Sequence, residues 1–143
     1  MTPDPKKLYQ QLILQHQKAP VNFFKQEAPA QQIEAYNPIC GDKFTLFFHL
    51  ENGRFTKTSF HGFGCSISKA ASSVLVEWLE GKSWEEANPI VQAYLEVISG
   101  NRPPEPSDPD FFAAFAIANQ FPGRETCANL SWEALASAFS GMD

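Results

Sequence analysis

Cysteine and methionine are scarce in this chain, at three and two of 143 residues. An odd number of cysteines cannot all close into a disulfide framework, and in a reducing compartment so few thiols point to metal binding or catalysis. Long hydrophobic runs are also missing. No window approaches the roughly 18 to 20 apolar residues that a membrane-spanning helix needs, and the polar start Met1 to Lys7 lacks the apolar core of a signal peptide. The expectation is a cytoplasmic protein without membrane association. Positive charge is in deficit, with 11 Lys and Arg against 16 Asp and Glu and a formal net charge of -5. The basic residues are scattered instead of forming a stripe, which excludes an electrostatic footprint for nucleic acid. Internal repeats and low-complexity tracts are absent.

Apolar residues are plentiful. They make up 43% of the chain and include 13 Phe and 3 Trp, which excludes a disordered acidic chain. The length suits one domain spanning residues 1–143, with no room for a second independent core.

Leu8, Leu12, Ile13 and His16 recur at helical spacing up to Pro20, so a helix is expected from Asp4 to Lys18, lying on a sheet. Ile33 to Tyr36 reads as a short strand. Phe44, Leu46, Phe48 and Leu50 mark one face of a second strand, with Thr45, Phe47 and His49 on the other. Asn52-Gly53 tolerates the positive φ angles of a two-residue hairpin turn, and Arg54 to Phe60 returns as a third strand. The period then changes. Ile67, Ala71, Val74, Leu75 and Trp78 share a helical face, with Ser66 as expected N-cap and Gly81 as stop. Ser83-Trp84-Glu85-Glu86 fits a capping box, and Asn88-Pro89 can start a further helix ending at Gly100. Asn101 to Pro109 holds four prolines and is a loop. Asp110 to Asn119 is short, apolar and expected to be helical, with Phe111, Phe112 and Phe115 filling core. Ala128, Trp132, Leu135 and Phe139 mark a last helix. The class is therefore α+β, with a small three-stranded antiparallel sheet and about five helices.

The three thiols sit at the ends of these elements. Cys40 lies in the turn Asn37-Pro38-Ile39-Cys40-Gly41-Asp42, where the Asp42 carboxylate follows two residues later. Cys65 follows Gly62-Phe63-Gly64 and precedes a helix, where free backbone N–H groups and the helix dipole favour thiolate. Cys127 repeats this context, after Phe121-Pro122-Gly123-Arg124 and before the last helix. Three sulfurs and one carboxylate would make a four-coordinate metal site with zinc–sulfur bonds of about 2.3 Å. Such a site on a divalent ion carries a net charge of about -2, which calls for cations, and Arg124, Lys43 and Lys69 are placed to help. The spacing contains no paired C-x-x-C knuckle, so buried inert cysteines remain the alternative. Asp42 alone fits a turn-stabilising residue equally well. His61, four residues before Cys65, can approach a metal there, although structural or solvated roles are the ordinary ones for His16, His49 and His61.

At these positions the sequence resembles the SufU branch of the IscU/NifU N-terminal family. The resemblance covers almost the whole chain, from Leu8-Tyr9 through His16 and Pro20-Val21-Asn22 to the stretch from Phe121 to Leu135. Its most specific parts are Asn37 to Asp42 and Gly62-Phe63-Gly64-Cys65-Ser66-Ile67-Ser68-Lys69-Ala70-Ala71-Ser72-Ser73. It implies zinc held by Cys40, Asp42, Cys65 and Cys127, sulfur accepted on Cys40, and Arg124 as a basic neighbour. It further implies a sulfurtransferase-like activator of a pyridoxal-phosphate cysteine desulfurase of the SufS type, delivering to downstream SUF assembly proteins. Two other functions compete: a scaffold of the IscU type holding a transient iron-sulfur cluster, and a binding module with structural zinc. IscU-like chains place a His directly before the third Cys, where this chain has Thr126, and they carry a Leu-Pro-Pro-Val-Lys motif that is absent here. SufU-like chains carry an insertion before the third Cys, to which Asn101 to Pro109 and the following apolar segment correspond. These differences favour sulfur transfer.

Overall fold

A computed structural model describes residues 5–27, 31–38, 41–121 and 123–140, so Cys40 lies outside the described residues. Among them the order is α1 (Pro5–Lys18), β1 (Gln31–Asn37), β2 (Asp42–Glu51), β3 (Arg54–Phe63), α2 (Ser66–Leu79), α3 (Trp84–Ile98), α4 (Asp110–Ala116), a 3-10 turn (Ile117–Gln120) and α5 (Arg124–Phe139). The strands form an antiparallel meander in the order β1-β2-β3. Asn52 at φ 53° and Gly53 at φ 77° close the β2–β3 hairpin between the paired residues Glu51 and Arg54. Positive φ at both central residues is what a type I′ turn requires, and Asn and Gly bear it with least strain.

One face of the sheet carries the core. Phe44, Leu46 and Phe48 of β2 and Phe55 and Phe60 of β3 are buried against α2 and α5. Phe139 of α5 meets Phe48 and Phe55 at ring-centre distances of 5.9 and 5.3 Å. Each fully buried Phe of this kind contributes about 1.5–3 kcal/mol of hydrophobic stabilisation. Trp132 and Tyr94 stack at 4.0 Å between α5 and α3. Their polar atoms are satisfied: Trp132 Nε1 donates to Ala71 O at 3.1 Å and Tyr94 Oη to Ala128 O at 2.8 Å. Burial therefore carries no unpaired-donor penalty at either ring.

Several boundaries differ from the sequence expectations. Helix α1 packs chiefly on α2 and α4, because α2 and α5 already cover the inner face of the sheet. Strand β3 runs on past Phe60 to Phe63, pairing Gly62 with Phe44 and Phe63 with Lys43. Residues 84–98 are one helix with Pro89 inside it, where two segments were expected. The Ser83–Glu86 capping box starts that helix, and Pro89, its sixth residue, lacks only the N–H that would meet the Glu85 carbonyl. The N-cap of α2 is Cys65, not Ser66. Helix α5 begins at Arg124, which puts Cys127 inside its first turn and not ahead of it.

Candidate metal centre

Strand pairing assembles the site. Because Lys43 pairs with Phe63, the start of β2 lies beside the end of β3, and Asp42 faces the Gly64-Cys65 segment. Two glycines permit this approach. Gly62 has φ +144°, and a Cβ there would stand 2.1 Å from the Lys43 carbonyl oxygen. A Cβ on Gly64 would stand 2.7 Å from Phe44 Cε2, 2.8 Å from Ser68 Oγ and 3.0 Å from Asp42 Cγ. Any larger side chain at Gly64 would therefore push the Cys65 loop off Asp42.

Cys65 and Cys127 are carried on the N-terminal ends of two packed helices. The Ser72 and Ser131 hydroxyls lie 2.6 Å apart and the Trp78 and Trp132 rings 5.7 Å apart, which fixes α2 against α5. The Cys65 backbone N–H donates to Asp42 Oδ1 at 3.1 Å. Its sulfur accepts from the Ser68 backbone N–H at 3.4 Å, in the manner of a helix cap. One donor atom each from Asp42, Cys65 and Cys127 lies within 4.8 Å of the others, a grouping able to hold a metal ion.

The donor set fits such an ion. Asp42 is 3% exposed, and its Oδ2 is buried with no hydrogen-bond partner among the described residues. An orphaned carboxylate oxygen beside two sulfurs is a strong local acceptor without a donor, and a cation is the group that would satisfy it. Thiolates with a carboxylate suit zinc chemically. Asp42, Cys65, Cys127, Arg124, Gly41 and Phe63 line an open cleft of about 680 Å³.

Of the three cations expected to offset the site's charge, Arg124 alone lines this cleft. Charge on Cys65 is the first cause that raises its pKa, followed by a hydrogen bond to Cys127. Lys43 instead pairs with Glu34 at 2.8 Å, diagonally across the strands. Lys69 stands 4.7 Å over the Phe23 ring. The histidines stay outside the group of ligand atoms. His61 packs its ring 4.7 Å from Phe23, in register with Thr45. His16 is buried, and its Nδ1 lies 2.7 Å from Ser73 Oγ.

Two contributors escaped the sequence reading. Tyr9 of α1 reaches the site: burial pushes its phenol up to about 12, Arg124 opposes that rise, and Cys65 and Cys127 add to it. Ser68 touches the Cys65 sulfur, with its Oγ 3.5 Å away. A Cys-x-x-Ser spacing at a helix start was the available signal for Ser68, while Tyr9 arrives only through the packing of α1 on α2.

A small antiparallel sheet under five helices, presenting two thiols, a carboxylate and an arginine in one cleft, defines an α+β protein with a centre able to take a metal. The chain belongs to the NifU-like N terminal domain family, which residues 8–128 match. It is 32% identical over 128 residues to the zinc-dependent sulfurtransferase SufU of Bacillus subtilis (strain 168), covering 90% of this chain and 86% of that one. It is 30% identical over 131 residues to the iron-sulfur cluster assembly scaffold protein IscU of Streptococcus pyogenes serotype M1, covering 92% and 82%. Among solved structures it resembles a SufU from Fervidobacterium islandicum AW-1, assigned to the SUF system as an iron-sulfur cluster assembly scaffold. The TM-score is 0.80 with 26% identity, covering 88% of this chain and 92% of that one. The expected fold class is thereby met, and the chain is a member of the SufU/IscU group of iron-sulfur cluster assembly proteins.

Proposed function

We propose that this protein is a zinc-dependent sulfur carrier of iron-sulfur cluster biogenesis, accepting sulfur on Cys40 from a pyridoxal-phosphate cysteine desulfurase of the SufS type. The observation that carries this reading is the convergence of Asp42, Cys65 and Cys127 donor atoms within 4.8 Å, beside Arg124. Cys40 precedes Gly41-Asp42 in sequence, and Asp42 belongs to that group, so Cys40 is the fourth ligand in this reading. Bound zinc would keep the thiols deprotonated and hold them against adventitious oxidation.

In the transfer itself, the Cys40 thiolate attacks the terminal sulfur of the desulfurase persulfide. A sulfur–sulfur bond forms to Cys40, the donor's sulfur–sulfur bond breaks, and the donor cysteine leaves as thiolate. No external oxidant or reductant enters. Arg124 offsets the negative charge that gathers when thiolates and a persulfide share the cleft. The product is handed to downstream SUF assembly proteins.

The similarity to IscU, close in extent to that with SufU, favours a second reading, a scaffold for a transient cluster. Thr126, where scaffolds of that type carry a histidine, favours the carrier. Elemental analysis of protein purified without added metal separates them. One zinc per chain is expected, whereas iron with equivalent sulfide and little zinc would put the scaffold first.

A further inference from the structure

Ser68 stands in an unusual relation to Cys65. It is the third residue of α2 and is 1% exposed. Its backbone N–H already donates to the Cys65 sulfur at 3.4 Å. Its hydroxyl oxygen lies 3.1 Å from the Cys65 carbonyl oxygen and 3.5 Å from the Cys65 sulfur. A serine hydroxyl has one proton to give, and it rotates to suit its neighbours. While the sulfur is a thiol, it can donate to Ser68 Oγ, and the Ser68 proton points to the carbonyl. A metal-bound sulfur has no proton and only accepts.

We infer that Ser68 is a positioning residue for the metal centre, its hydroxyl turning from the Cys65 carbonyl to the Cys65 sulfur when that sulfur is metal-bound. The bound sulfur then has two donors from one residue, the Ser68 N–H and O–H. This rests on the reading of Cys65 as a ligand. The surroundings are cut to fit it, since a Cβ on Gly64 would stand 2.8 Å from Ser68 Oγ, and glycine leaves that volume to the hydroxyl. The Ser68 carbonyl is held in turn by Ser72 Oγ at 2.8 Å, so the first turn of α2 is fixed while the hydroxyl alone is free to turn. Outer contacts of this kind set ligand orientation and donor strength.

The test compares Ser68→Ala, Ser68→Thr and Thr58→Val in the full chain, by zinc affinity against a chromophoric chelator and by the absorption spectrum of the cobalt-substituted protein. Thr58→Val is the structural control: it removes the buried hydrogen bond from Thr58 Oγ1 to the Val76 carbonyl oxygen at 2.7 Å, at the far end of α2 from Cys65, and should lower melting while leaving affinity near native. Ser68→Ala should weaken zinc binding by about 10- to 100-fold, the usual effect of losing such a contact. It should also move the sulfur-to-cobalt charge-transfer band to lower energy, because a sulfur stripped of a donor gives up charge more easily. Ser68→Thr keeps the hydroxyl and should restore both. If Ser68→Ala binds zinc like Thr58→Val and leaves the band in place, Ser68 is a packing residue and the assignment is wrong. A native protein that takes up neither zinc nor cobalt would overturn the metal-centre reading along with it.

Discussion

Asp42 uses one carboxylate oxygen to fix Cys65 and, among the described residues, leaves the other without a hydrogen-bond partner. Oδ1 accepts from the Cys65 backbone N–H at 3.1 Å, while Oδ2 is buried. The carboxylate thus braces Cys65 with one oxygen and has the other to offer a metal ion. Asp42→Asn keeps an acceptor for the N–H but loses the negative charge, so metal affinity should fall by tenfold or more while the metal-free protein melts close to native. Asp42→Ala should also leave the Cys65 N–H unsatisfied, which costs about 1–3 kcal/mol. Chelator titration and thermal melts of metal-free samples distinguish the two effects.

The close approach of Gly64 makes it sensitive to a single methyl group. Three atoms would lie at or within 3.0 Å of an added Cβ, including the Asp42 carboxyl carbon. Gly64→Ala should destabilise by about 1–3 kcal/mol, as overpacking does, and weaken metal uptake together with stability. Gly53→Ala is the contrast, because nothing lies within 4 Å of its Cβ position and only its φ of +77° resists the change. Its melting should shift while metal uptake stays native.

Metal removal should lower melting. A metal that binds only the folded chain adds its binding free energy to folding, so chelation is expected to reduce the melting temperature and Cys65→Ser to mimic it. Calorimetry with and without chelator reads this directly. Unchanged melting after verified metal loss would exclude a stabilising site.

His16 gives a pH signature independent of the thiols. Burial lowers its pKa from the ordinary value of 6.5, opposed in part by Glu77. The neutral ring is thus the form favoured by the folded chain, hydrogen-bonded to Ser73. The unfolded chain binds the proton first on acidification, so this residue's contribution is complete above pH 6.5 and declines as pH falls toward the folded pKa. Urea melts of metal-free protein should show native stability falling in that window, and His16→Gln should flatten the slope. A native profile as flat as the variant's would show that His16 does not titrate with folding.

Much of this fold was legible because local rules and tertiary structure agree. Asn52-Gly53 closed the hairpin where expected, and Ala128, Trp132, Leu135 and Phe139 are all buried on one face of α5. The start of α5 was missed because a polar first turn hides a helix from an apolar pattern. Arg124 and Thr126 are exposed, so periodicity sees α5 only from Ala128 onward, although Gly123 in a left-handed conformation had already started it. Asp42, Cys65 and Cys127 were found from turn and helix-end contexts and from family resemblance, and their atoms do converge. Lys43 and Lys69 were misplaced because a charge near a ligand in sequence says nothing about its partner across a strand. Here those partners are Glu34 and the Phe23 ring.

Sulfur transfer through Cys40 is the central claim, and peptide-resolved mass spectrometry tests it most directly. The native protein is incubated with a cysteine desulfurase and cysteine, thiols and persulfides are trapped by alkylation, and the cysteine peptides are compared. Added sulfur of one atom is expected on the peptide containing Cys40, and Cys40→Ser should abolish both that signal and the stimulation of the desulfurase while retaining the fold. A persulfide carried mainly on Cys127 or Cys65, with Cys40→Ser still active, would contradict the account.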